Sequence, residues 1–127
     1  MILRRLNGIV IYLHNMSNLV SSDILFIVGD VFGKKVRITK TYWDYVLYTK
    51  HREAIHELSA ELLKITLTNP GFVISTLEES VVQFYHQMED SRFFCVVVRH
   101  LNGDGFVITS YITRQPKRNN KILWRKN

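Results

Sequence analysis

Three hydroxyl-bearing residues, Thr109, Tyr111 and Thr113, recur at every second position in the run Gly105–Thr113. Residues two apart share one face of a β-strand, so these three would line a single surface. Val107 would join them there. Phe106, Ile108, Ser110 and Ile112 would point the other way, into a core that is apolar except for the small Ser110. Hydroxyls both donate and accept hydrogen bonds, and a row of them can hold the oxygens of a phosphodiester. Thr and Tyr are also favoured on any solvent-facing strand. What else reaches that face therefore decides whether it does chemistry.

A basic segment follows immediately. Arg114, Lys117, Arg118, Lys121, Arg125 and Lys126 occupy the last fourteen residues with no acid among them. The rest of the chain is balanced, so this segment carries the entire net charge of +6. Such a patch is an electrostatic footprint for a polyanion, nucleic acid or an acidic protein, and equally a solvated tail that aids solubility. Tyr85 and Arg99 sit on neighbouring strand candidates and would share the hydroxyl face if the strand register allows. An arginine there could stabilise a phosphate-centred transition state, with Lys50 as its competitor. His51 titrates near neutral pH and suits acid–base work, although a helix C-terminus alone would favour a histidine at that point.

The other histidines offer less. His86 shares a strand face with Val82 and Phe84 and reads as half-buried. His100 sits at a hairpin turn and reads as exposed. Asp30, Lys34 and Lys35 read as turn and surface residues. No Cys/His cluster has metal-ligand spacing, and no carboxylate pair stands out as a divalent-cation site. No cofactor is expected. Cys95, the single cysteine, falls inside an apolar run and reads as a small core residue.

The 127 residues fit one domain, and 46% apolar with 22% charged residues is ordinary for a globular chain. Residues 2–13 are briefly apolar, but Asn7 and Gly8 break the run and no small-residue cleavage site follows, so a signal peptide is rejected. No stretch reaches the roughly 18 apolar residues needed to span a bilayer. A soluble, cytoplasmic protein without membrane contact is the expectation.

The elements that must position these residues read as follows. Residues 1–23 are an N-terminal extension of uncertain structure. Ile24–Val28 and Val36–Thr39 are short strand candidates separated by the turn signals Gly29-Asp30 and Gly33-Lys34. Thr41 is the expected N-cap of a helix carrying Trp43, Val46, Leu47 and Lys50 on one stripe. A second helix spans 53–68, with Ile55, Leu58, Leu62 and Ile65 as its apolar face and Asn69-Pro70-Gly71 as its stop. Val81–Gln87, Phe93–Arg99 and Gly105–Thr113 are strands, the last two joined by Asn102-Gly103-Asp104-Gly105. The Phe93–Arg99 run is apolar nearly throughout, as a central strand buried on both sides should be. Ile122–Trp124 could add an edge strand. The sum is an α+β domain over 24–113, two helices packed on one face of an antiparallel meander of about four strands, followed by a basic segment over 114–127.

Taken in order, Val36-Arg37-Ile38-Thr39, Tyr42-Trp43 opening a helix that ends in Lys50-His51-Arg52-Glu53, Phe84-Tyr85, the Cys95–Val98 strand and Phe106–Thr113 resemble a known group. These are the phage-linked nucleases of the Barnase, EndoU, colicin and RelE type, the BECR fold. Members of one such family carry a Thr-x-x-x-Trp helix ending in a His-Pro-Glu-like turn and a last strand reading like Ile-Thr-Ala-Tyr-x-Thr. The match covers about residues 28–124. Two positions depart from it: Arg52 stands where that family has proline, and Ser110 where it has alanine.

The resemblance implies a BECR-like fold and a metal-independent endoribonuclease. In that chemistry the ribose 2′-hydroxyl attacks the adjacent phosphorus and leaves a 2′,3′-cyclic phosphate. It implies His51 as general base or acid, Arg99 or Lys50 as transition-state cation, and Thr109 and Tyr111 at the reacting phosphate. Tyr85, Thr113, Lys117 and Arg118 would bind substrate. The implied partners are RNA, tRNA among the candidates, and a small acidic antitoxin or immunity protein. The Arg52 departure keeps a second class open: an RNA- or protein-binding module without the chemistry.

Overall fold

The computed structural model describes residues 24–45, 60–117 and 120–127. Among these residues seven strands form one sheet: β1 (Ile24–Gly29), β2 (Lys35–Thr39), β3 (Phe72–Ser75), β4 (Val81–Gln87), β5 (Phe93–His100), β6 (Asp104–Thr113) and β7 (Ile122–Arg125). Their order across the sheet is β1-β2-β6-β5-β4-β3-β7. Helices α1 (Lys40–Tyr45) and α2 (Ala60–Thr68) connect β2 to β3.

This overturns the expected four-stranded antiparallel meander. The sheet has seven strands and is mixed, because β2 runs parallel to β6 with Lys35 opposite Asp104 and Arg37 opposite Phe106. The β1–β2 hairpin is thereby joined to the later strands instead of standing apart. β3 was also not expected. Its four residues, Phe-Val-Ile-Ser, directly follow the Pro-Gly helix stop and are too short to show a period.

β5 lies inside the sheet and is buried from Phe94 to Val98. Alternate residues feed two cores. On the helix face, Phe94, Val96 and Val98 join Val36, Ile38, Leu63, Leu67, Val73, Val82 and Phe84. On the second face, Cys95 and Val97 join Phe72, Ile74, Val81 and Tyr85.

The helix face shows how local sequence sets geometry. The hydroxyl of Thr39 accepts the Tyr42 backbone N–H (3.1 Å), so Thr39, two residues earlier than expected, caps α1. In α2 the buried residues are Leu63, Thr66 and Leu67. Ile65, expected on the apolar stripe, is instead exposed. Thr66 can be buried because its hydroxyl donates to the Leu62 carbonyl (2.8 Å). The helix ends at Thr68, where Asn69-Pro70 was expected to stop it.

β6 departs from simple alternation. Val97 pairs with Thr109, yet Val98 pairs with Val107, so Ile108 is an extra residue in a β-bulge. The bulge reverses the parity of the strand. Val107 is fully buried in the helix-side core, although unbroken alternation would have presented it beside Thr109. Beyond the bulge the alternation holds: Ser110 and Ile112 lie on the helix side, and Tyr111 packs against the second core.

The β5–β6 hairpin closes through Leu101 N–H to the Asp104 carbonyl (2.7 Å), with Gly103 at φ +88°. Gly105 meets β5 so closely that a Cβ there would lie 2.5 Å from the Arg99 carbonyl oxygen. The obstacle is backbone and cannot swing aside. Gly105→Ala should therefore cost about 1–3 kcal/mol, read as a lowered urea midpoint with unchanged slope.

Candidate nucleic-acid interface

The connection from β6 to β7 creates the candidate site. These strands are separated by β5, β4 and β3. The span is four strand spacings, about 19 Å. The backbone N–H of Lys117 donates to the Tyr85 hydroxyl (3.4 Å), which puts the crossing on the second face. The carbonyl of Lys121 then accepts Ser75 N–H (2.9 Å) and leads into β7. The described part of this connection, residues 114–117 and 120–121, is thus a strap over the second core, and its Arg114, Lys117 and Lys121 are exposed.

Beneath the strap lies a polar network. The Tyr85 hydroxyl donates to Gln83 Oε1 (3.1 Å), and Gln83 Nε2 donates to the Tyr111 hydroxyl (3.4 Å). The two tyrosine hydroxyls lie against each other and complete the ring. Both hydroxyls also contact the Cys95 thiol. Burial, reinforced by Cys95, pushes the Tyr111 hydroxyl well above its usual range and raises Tyr85 as well. Burial likewise raises the Cys95 thiol to about 11. At neutral pH all three hold their protons. They serve as hydrogen-bond donors, not as nucleophile or base.

An open cleft of about 620 Å³ adjoins this ring, lined by Thr76, Leu77, Glu78, Gln83, Lys117 and Asn120. Its rim is the β3–β4 turn, shaped by Thr76, whose hydroxyl accepts Glu78 N–H (3.1 Å) and donates to the Val81 carbonyl (2.9 Å). Sequence reading missed this cleft. Gln83 was legible only as an alternating strand residue, and the β3–β4 turn carries no distinctive signal.

The expected site residues divide into groups. Tyr85, Thr109, Tyr111 and Thr113 come together on the second face, with Thr109 opposite Val97 and Thr113 opposite Phe93. The Thr113 hydroxyl accepts Gln115 N–H (3.0 Å) and shapes the start of the strap. Lys117 lies in the strap itself. Arg99 is engaged elsewhere: Nη1 donates to Ser80 Oγ (2.8 Å) and Nη2 to Glu78 Oε2 (3.0 Å). His51, Lys50 and Arg118 lie outside the described residues.

His100 and Asp30 reverse their expected roles. The Asp30 side chain is fully buried in the β1–β2 turn. Its Oδ1 accepts the backbone N–H groups of Phe32 (2.9 Å) and Lys34 (3.0 Å), and its Oδ2 accepts His100 Nε2–H (2.7 Å). His100 is mostly buried, edge-on to Phe32 and Phe84 at ring-centroid distances of 5.5 and 6.1 Å. The pair pins the β1–β2 turn to the β5–β6 turn, and Lys34 Nζ adds a bond to the Leu101 carbonyl (2.8 Å). His86 is half-buried as expected, and burial with nearby Lys126 lowers its pKa. Among the described residues no cluster of His, Cys, Asp and Glu could hold a metal ion. No helix among them is long and apolar enough to cross a membrane.

No family model, characterised protein or solved structure matches the chain. Any functional reading therefore rests on the residues themselves.

Two measurements check the electrostatics. Asp30→Ala strands three donors and should cost about 3 kcal/mol or more, whereas Glu78→Ala, in an exposed pair, should cost under about 1 kcal/mol; urea midpoints separate them. The raised Cys95 thiol works as follows. Its proton is held more tightly in the folded state, so this contribution is complete below the unfolded value of 9.0 and is lost as pH rises to about 11. The destabilisation caused by Cys95→Ala should therefore shrink between those two pH values.

Proposed function

We propose that this domain engages single-stranded RNA across the second face of the sheet. The observation that carries the reading is a juxtaposition. Thr109, Tyr111 and Thr113 share one sheet face with Tyr85 and Gln83, directly beneath a strap whose exposed cations have no acidic neighbours in sequence. Cations attract the phosphate backbone. The Gln83 amide and the Tyr111 and Thr113 hydroxyls suit phosphate, ribose and base edges, and unpaired bases are what such groups can reach. Under this reading the domain meets RNA, tRNA among the candidates, in the cytoplasm.

Of the two things it could do to RNA, binding without cleavage has the better support among the described residues. Arg99, the expected transition-state cation, is tied to Glu78 and Ser80. The second reading is the metal-independent endoribonuclease that the resemblance implies. It is favoured by His51, whose neutral-range imidazole lies in the motif Lys50-His51-Arg52-Glu53. An acidic antitoxin-like protein covering the strap belongs to this second reading.

The test is incubation of the purified protein with total tRNA and a synthetic single-stranded RNA in EDTA, read on native and denaturing gels. A salt-sensitive shift with intact RNA is the expected result. The logarithm of the affinity should fall by about 0.7 per phosphate contact per tenfold rise in salt, and Lys117→Glu with Lys121→Glu should weaken binding. Fragments ending in 2′,3′-cyclic phosphate that disappear in His51→Ala would establish the nuclease instead. Absence of any shift at low salt would refute the RNA reading.

A further inference from the structure

The cleft beside the Gln83 ring has features that a structural network alone does not require. A buried polar ring is costly unless fully satisfied, and an apolar patch would fill the same space more cheaply. Here the ring borders open volume. Gln83 is nine-tenths buried, and its amide nevertheless lines the cleft. The two tyrosines hold its amide in one orientation: Oε1 accepts the Tyr85 hydroxyl (3.1 Å), which itself accepts Lys117 N–H, and Nε2 donates to the Tyr111 hydroxyl (3.4 Å). Each amide end has used one of two hydrogen-bonding positions on the tyrosines, which leaves one N–H and one carbonyl lone pair.

An amide held in one orientation, with a donor and an acceptor still to offer, is suited to a nucleobase edge, where donors and acceptors alternate. The surroundings fit the same ligand. The volume of about 620 Å³ lies within the roughly 300–1,000 Å³ typical of small-ligand pockets. Leu77 stands at the rim with its side chain fully in solvent, an apolar surface for a base to lie against. Lys117 supplies a cation for the adjoining phosphate. Glu78, although acidic, is partnered by Arg99.

We propose that this cleft is a base-recognition pocket, receiving one unpaired base of the bound strand with the Gln83 amide reading its edge. The pocket rests on the RNA-binding reading and adds to it. It makes part of the affinity depend on a base, where strap and hydroxyls would need only the backbone.

The experiment compares a short oligouridine with an abasic ribose-phosphate oligomer of equal length, titrated by fluorescence anisotropy. Wild type should bind the abasic strand about tenfold more weakly, the range expected for losing contacts to one base. Gln83→Leu and the exposed variant Leu77→Asp should each erase most of that difference while still binding the abasic strand. Leu77 supports no core residue, so its variant reports on the pocket even if Gln83→Leu unfolds. If wild type prefers the base-bearing strand and Leu77→Asp keeps that preference in full, the pocket is wrong and the RNA reading survives. If wild type binds the two strands equally, the pocket is wrong for the same reason. If wild type binds neither strand, both the pocket and the RNA reading fail.

Discussion

The burial of β5 on both faces is the constraint on which the rest of the structure depends. A strand with Phe94, Val96 and Val98 on one side and Cys95 and Val97 on the other needs cover in both directions. Helices α1 and α2 cover one side. The other side has Tyr85, Phe72 and Ile74 from adjacent strands and the strap that follows β6. The charged segment is therefore also a structural one. Its backbone binds Tyr85 and Ser75, and its cations face outward.

That double role explains why polar groups sit so close to a dry core. The Tyr85–Gln83–Tyr111 ring lies where the second core gives way to the cleft. Each member satisfies another, and the strap's Lys117 N–H supplies a further donor. The low polarity that raises the tyrosines and Cys95 also makes their hydrogen bonds strong and directional. The same environment removes them from proton transfer near neutral pH. Rigidity of the donors and availability for acid–base chemistry are thus opposed on this face, and the sequence has settled on rigidity.

Much of this was legible beforehand where the signal was local. The strands β1, β2, β4, β5 and β6, the Asn102–Gly105 turn, the helix stop at Asn69-Pro70 and the edge position of Ile122–Trp124 follow from apolar period and turn chemistry. Alternation put Thr109 and Tyr111 on one face, but whether Tyr85 joined them depended on register, which the pairing of Tyr85 with Cys95 and of Cys95 with Tyr111 supplies. What was not legible depends on partners distant in sequence. The parallel pairing of β2 with β6 turned a meander into a seven-stranded mixed sheet. The bulge at Ile108 moved Val107 across the sheet without any break in the residue pattern. Asp30 looks like an ordinary turn aspartate until His100, 70 residues later, arrives to occupy it. Gln83 became part of a site only when the strap and the β3–β4 turn enclosed space beside it.

The β2–β6 pairing has a consequence for how the chain is made. β2 is among the first strands to leave the ribosome, yet its parallel neighbour β6 is among the last. Until β6 arrives, Lys35, Val36 and Arg37 lack their partners on that side, and until the end of β5 is made Asp30 lacks His100. β7 must then cross over a sheet already assembled. A topology with such distant pairings folds slowly and keeps its early hairpin exposed during synthesis. The outward residues of β1, Leu25 and Ile27, are apolar and remain exposed even in the finished fold. Nascent chains are therefore most vulnerable to wrong strand pairing at β1 and β2, long before the basic strap and β7 have been translated.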